Sequence, residues 1–172
     1  MGFVILDIIN YSNLMKNLIL GISFLILITN CNKDSSKEIP YEVIVIVELI
    51  MNKNKSQEQL KEFTKRYSDY VKSTELNTLG WTYHDAGDKV LLIERYKDED
   101  ANIVTAKNIS PEGNRYKLLQ ESFNYYSLEK VTVIGGFTKK LIDFNKMTAE
   151  KVGFTAPFVY YPLISGYSKN LK

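Results

Sequence analysis

The chain has 172 residues, 45% hydrophobic and 24% charged, which is one-domain length and ordinary globular composition. Its 22 basic and 20 acidic residues leave a formal net charge of +2, and no run of Lys and Arg is interleaved with aromatics, so nucleic acid is not an expected partner. A single His and a single Cys exclude a zinc site built on several of either, and there is no phosphate loop, Gly-x-Gly-x-x-Gly or Gly-x-Ser-x-Gly.

Residues 1–31 read as a signal segment. Leu18 to Ile28 is almost wholly apolar, is preceded by Lys16 and is followed by Thr29-Asn30-Cys31, the layout of a secretory signal. Spanning a bilayer takes roughly 20 apolar residues, so this run is short for a permanent transmembrane helix. Met15 makes a better start than Met1, because Met1 to Leu14 places the acidic Asp7 where a positive region is expected. Cys31 is the only cysteine, so no intramolecular disulfide forms. Its position resembles the lipid-modified cysteine of bacterial lipoproteins, with Ile28-Thr29-Asn30-Cys31 as the lipobox, although Asn30 departs from the small residue usual there. The resemblance implies an envelope protein attached to a membrane through Cys31. An unmodified signal end and a structural cysteine are the alternatives. Residues 32–39 are a polar tether too poor in apolar residues to fold alone.

The folded domain is expected over 40–168. Tyr41 to Met51 is a strand whose β-branched run Val43 to Val47 does not alternate, so both of its faces are expected to be covered. Two coverings are open: a second copy of the domain, or the tail from Phe137 onward. Ser56-Gln57-Glu58-Gln59 is a capping box that starts a helix running to Ser73, with Leu60, Phe63, Tyr67, Tyr70, Val71 and Thr74 on one face. An aromatic strand from Leu79 meets a turn at Asp85-Ala86-Gly87-Asp88 and returns through Glu94-Arg95-Tyr96. A helix then starts near Asp98 and stops near Asn108, before Ser110-Pro111-Glu112-Gly113. A short helix carries Leu118, Leu119 and Phe123, Leu128 to Phe137 is a fourth strand, and Lys139 to Glu150 is a last helix. Phe154 to Tyr167 is aromatic and contains prolines, and is expected to pack as an arm. The fold class is therefore α+β, a ferredoxin-like β-α-β-β-α-β order with a C-terminal helix and aromatic arm.

Leu79-Gly80-Trp81-Thr82-Tyr83, Ile93-Glu94-Arg95-Tyr96-Lys97-Asp98 and Tyr161-Pro162-Leu163-Ile164-Ser165-Gly166-Tyr167-Ser168 resemble the antibiotic biosynthesis monooxygenase (ABM) domains, in the branch containing quinol monooxygenases. The resemblance implies a homodimeric α/β barrel. It also implies a cofactor-independent monooxygenase, which oxidises a phenol or quinol with O₂ and uses neither metal nor flavin. Such a protein must supply an apolar pocket, a proton acceptor and a stacking surface.

Trp81, Tyr83 and Tyr96 are the candidate walls for a small apolar aromatic ligand, with plain core packing as the alternative. His84 is the candidate general base, although its hairpin position also fits simple exposure. Glu94 and Arg95 alternate along one strand, so one of them faces inward, and an inward carboxylate needs a partner. On the helix from Asp98, relatives carry a His where this chain has Thr105, which cannot accept a proton near neutral pH. Thr105 is kept as a substrate contact. Asn108 is a candidate to orient a substrate oxygen or O₂, or to cap the helix. Loss of that His leaves a second reading open, a non-catalytic module that binds an apolar ligand or dimerises.

Overall fold

The computed structural model describes residues 41–166. The apolar run, Cys31, the tether and Tyr167-Ser168 of the tail lie outside those residues. Among the described residues, no helix is long and apolar enough to cross a membrane.

The elements are β1 Val43–Met51, α1 Gln57–Thr74, β2 Thr78–Asp85, β3 Lys89–Tyr96, α2 Glu99–Lys107, α3 Tyr116–Ser122, β4 Tyr126–Gly135, α4 Lys139–Val152 and β5 Phe158–Pro162. They make a mixed α+β fold with one open five-stranded sheet in the order β2-β3-β1-β4-β5. β1 lies antiparallel to both β3 and β4, and β2 antiparallel to β3. β5 runs parallel to β4, with α4 as the crossover between them.

Local chemistry explains the starts and stops. Ser56 Oγ accepts from Gln59 N at 3.2 Å while Gln59 Oε1 accepts from Ser56 N at 3.0 Å, so the expected capping box forms. Asp98 Oδ1 accepts from Ala101 N at 2.7 Å and starts α2. Gly135 ends β4 where a Cβ would sit 2.1 Å from the Glu42 carbonyl oxygen, a space no other residue fits.

Strand alternation sorts the sheet into two faces. One carries Val43, Val45 and Leu49, paired across the ladder with Tyr96, Glu94 and Val90, and it lies under the helices. Its core has two parts. Val43, Val45, Tyr96, Ala101, Ile103, Val131, Val133 and Leu141 form one cluster, and Leu49, Leu60, Phe63, Tyr67, Val71, Val90, Leu92 and Tyr126 form the other. Val47 and Leu128 pack against both.

The other face is uncovered by any described part of this chain, which sets aside, for the described residues, the alternative in which the tail from Phe137 covers it. Ile44, Ile46, Leu91 and Ile93 are half-buried there, and Ile50, Ile134 and Tyr161 are 41%, 36% and 57% exposed. The expected aromatic arm is instead the edge strand β5, which extends the sheet beside β4, with Phe158 and Tyr160 packed on the helix-side core. Pro162 ends that strand, at an edge where a missing N–H costs no ladder bond. On α1, Thr74 is exposed and outside the buried stripe; its hydroxyl donates to the Tyr70 carbonyl at 2.8 Å.

Candidate functional site

A cavity of about 130 Å³ lies between the sheet and the helices where the two core clusters meet. Val45, Val47, Leu49 and Leu92 form its apolar floor, with Trp81, Tyr83, Glu94 and Tyr96 on neighbouring strands. Asn102 and Ala106 close it from α2, Ile109 from the turn just after that helix, and Arg115, Leu119 and Ser122 from the segment that follows. Trp81, Tyr83 and Tyr96 lie on one side of the sheet, because odd positions on β2 and even positions on β3 share the helix side through the pairs Trp81–Glu94 and Tyr83–Leu92.

The same alternation resolves Glu94 and Arg95. Glu94 borders the cavity, while Arg95 lies on the open face and pairs with Glu42 at 2.5 Å. The Glu94 carboxylate has the partner that its burial demands: Tyr96 Oη donates to Oε2 at 2.5 Å. Burial raises the Glu94 pKa above the usual carboxylate value; the Tyr96 hydrogen bond and the Arg115 charge oppose the rise, and Glu75 adds to it. Burial also raises Tyr96 and Tyr83 well above the ordinary phenol range.

Arg115 is the buried cation of the site, 2% exposed. Its guanidinium carbon lies 5.0 Å from the Trp81 ring and 5.9 Å from the Tyr67 ring, and those two rings stack on each other with centroids 5.7 Å apart. Nη1 is 3.2 Å from Glu75 Oε1, and Nη2 donates to the Thr105 carbonyl at 3.2 Å. Burial acts to lower the Arg115 pKa, but the acidic groups around it, tyrosines that ionise only at high pH and the carboxylates Glu94 and Glu75, outweigh it, so the side chain stays charged. A close loop aims it inward: Arg115 N donates to the Asn108 carbonyl at 2.8 Å, past Gly113, where a Cβ would stand 2.3 Å from that same oxygen.

Three residues proposed from sequence stand elsewhere. His84 is exposed on the open face of β2, its Nε2 2.9 Å from Thr82 Oγ1, because it alternates with Tyr83. The sheet separates it from the cavity, so it is not placed to act as a base there. Asn108 ends α2, and its Nδ2 donates to both Glu75 oxygens at 3.0 and 2.9 Å, which engages it as a structural contact rather than on the cavity wall. Thr105 is fully buried, with no hydrogen-bond partner for its hydroxyl, and does not line the cavity. Asn102 and Ala106 follow the i, i+4 spacing of one face of α2, and the cap residue Asn108 is turned about 120° from Asn102.

Sequence reasoning missed Glu75, Asn102, Arg115, Tyr67 and Tyr126. Asn102 was detectable in principle, as a polar residue on the helix stripe one turn before Ala106. Nothing local marked Arg115 as buried.

The cavity holds polar atoms that nothing satisfies. Trp81 Nε1, Tyr83 Oη, Asn102 Oδ1 and Arg115 Nε are enclosed and have no hydrogen-bond partner among the described residues. Their residues all line the same cavity.

No family model matches this sequence, and no curated protein sequence matches it. Among solved structures, the fold is similar to the crystal structure of MupZ from Pseudomonas fluorescens, with a TM-score of 0.57 and 16% identity over 74% of this chain and 94% of that one. At that identity the likeness is one of fold.

Proposed function

We propose that this domain is an ABM-like module of ferredoxin-like order whose cavity takes a small hydroxylated aromatic or quinol and oxidises it with O₂ without a cofactor. The observation that carries this reading is the set of unpartnered polar atoms, Trp81 Nε1, Tyr83 Oη and Asn102 Oδ1, on residues lining a cavity with an apolar floor of Val45, Val47, Leu49 and Leu92. Each enclosed group without a partner costs about 1–3 kcal/mol, so a ligand that brings hydroxyls to them and a ring to the apolar wall gains on both counts. An apolar cavity of about 150 Å³ holds benzene. The volume here, about 130 Å³, therefore favours a single ring over the polycyclic substrates of some ABM enzymes.

Oxidation of a phenol by O₂ to a quinone and water balances with electrons drawn from the ring, so the protein's work is to bind, to ionise the phenol and to exclude water. A dimer formed through the open face, and a membrane tether at Cys31, complete the proposal. A lipid-anchored protein would sit where quinols partition.

One observation favours the second reading, a binding module without chemistry: no imidazole faces the cavity, since His84 is on the opposite side of the sheet. The two readings separate in one experiment. Saturable quenching of Trp81, the only tryptophan, by hydroquinone or phenol reports binding, and O₂ uptake above autoxidation reports chemistry. Quenching without excess uptake leaves the binding module; neither signal removes both readings.

A further inference from the structure

We propose that Glu94 is the base that takes the phenolic proton of a ring bound in this cavity, and that Arg115 holds the phenolate so formed. The inference rests on the reading of the cavity as a site for a small phenol or quinol. In this step the O–H bond of the ligand breaks, an O–H bond forms on the Glu94 carboxylate, and the electron pair stays on the ligand oxygen, so no oxidant or co-reactant is needed.

Geometry selects Glu94. Among the described residues that border the cavity it is the only carboxylate, and a carboxylate accepts a proton without leaving a second buried charge behind. Only its Oε2 is engaged, by Tyr96 at 2.5 Å, so Oε1 is left for a ligand. The other carboxylate of the cluster, Glu75, is occupied by Asn108 at 3.0 and 2.9 Å and by Arg115 at 3.2 Å.

The groups facing Glu94 come from every neighbouring element: Tyr96 on its own strand, Tyr83 on β2, Tyr126 on β4, Tyr67 on α1, Glu75 beyond α1, and Arg115 before α3. The four tyrosines are all held above the ordinary phenol range, chiefly by burial, and stay protonated near neutral pH. The raised Glu94 value brings its basicity closer to that of a phenol, which is what proton transfer requires.

Charge balance supports the pairing with Arg115. With Glu94 ionised, Arg115, Glu75 and Glu94 sum to one negative charge; moving a proton from ligand to Glu94 keeps that sum and shifts the negative charge onto the ligand. Arg115 lines the cavity and its Nε has no hydrogen-bond partner, so its guanidinium is the positive charge in the wall that an anionic oxygen would meet. Trp81 and Tyr67, which stack against the guanidinium, keep it from swinging away.

The test uses the full-length chain in mild detergent with 4-nitrophenol, whose phenolate alone absorbs strongly in the visible. Below the solution pKa of the probe, the wild-type protein is expected to show saturable Trp81 quenching together with phenolate absorbance, and no net proton release into weakly buffered solution. Glu94→Gln, an isostere of the protonated acid, is expected to keep the quenching and the phenolate absorbance but to release one proton to solution per phenolate bound, because the site no longer holds an acceptor for it. Tyr96→Phe, which removes the hydrogen bond but not the base, is expected to release none. Phenolate bound by Glu94→Gln without proton release, a neutral bound probe in the wild type, or release of one proton per probe bound by the wild type would each overturn the assignment. Should Glu94→Gln fail to fold, the wild-type proton count alone decides. Absence of any quenching by 4-nitrophenol and by phenol would instead remove the cavity reading on which the assignment stands.

Discussion

Arg115 Nη1 lies 3.2 Å from Glu75 Oε1, with each side chain 3% exposed. This pair joins the end of α1 to the start of α3 and sets the guanidinium against Trp81. Removing one member of a buried pair leaves a charge without compensation, a loss of about 3–5 kcal/mol. Arg115→Met and Glu75→Leu are each expected to destabilise by about that amount in urea unfolding, and the double variant by much less than their sum. Additive losses would show that the two groups do not interact.

Glu94 makes stability fall as pH rises. Its pKa is raised in the folded state, chiefly by burial, so between the ordinary carboxylate value of 4.5 and the raised native value the unfolded chain releases a proton that the native state retains. The contribution is fully present below 4.5 and is lost as pH climbs through the native pKa. Denaturation curves across this range are expected to show Glu94→Gln gaining on the wild type as pH increases. A constant difference at all pH values would show that Glu94 titrates normally.

Ala106 offers a way to fill the site without touching its polar groups, because it lies on the α2 wall between Asn102 and Ile109. Ala106→Leu adds apolar volume to an existing void. It should abolish quenching of Trp81 by phenol while thermal stability stays within about 1 kcal/mol of the wild type, since the added carbons fill a void rather than displace packed atoms. Retained binding would place the ligand elsewhere.

The open face of the sheet yields a prediction about assembly. Ile44, Ile46, Leu91 and Ile93 form an apolar centre there, rimmed by the Lys89–Glu129 pair at 2.6 Å at one end and by Arg95–Glu42 at 2.5 Å at the other. With residues 1–31 removed, the chain is expected to sediment at about twice its monomer mass, as a twofold pair of self-complementary faces requires. Ile46→Lys should yield monomers. A wild-type monomer would end the dimer proposal.

Gly113→Ala tests the loop that aims Arg115. Its Cβ would stand 2.3 Å from the Asn108 carbonyl oxygen, a backbone atom that cannot swing aside. A loss of about 1–3 kcal/mol is expected in urea unfolding, the usual range for overpacking. Phenol binding should weaken with it, because Arg115 N loses its 2.8 Å bond to that carbonyl.

What was legible in the sequence was what local periodicity and turn chemistry encode. The capping box at Ser56, the hairpin after Asp85 and the order of strands and helices are short-range features. The shared face of Trp81, Tyr83 and Tyr96 needed only the two-residue repeat of a strand and the hairpin's register. That repeat also required one of Glu94 and Arg95 to point inward, without saying which.

Only tertiary structure decided which faces meet. Family resemblance points to Thr105 and Asn108, but docking of α2 turns Asn102 and Ala106 to the cavity, with Ile109 of the following turn beside them. Phe158 to Pro162 became an edge strand because β4 presented an unpaired backbone beside it, a choice that depends on a partner far off in the chain. Arg115 and Glu75 met because two helix ends packed together around an enclosed charge, and no spacing in the sequence records that distance. Periodicity tells a residue which neighbours share its side; where that side comes to rest is settled by burial and charge compensation across the whole domain.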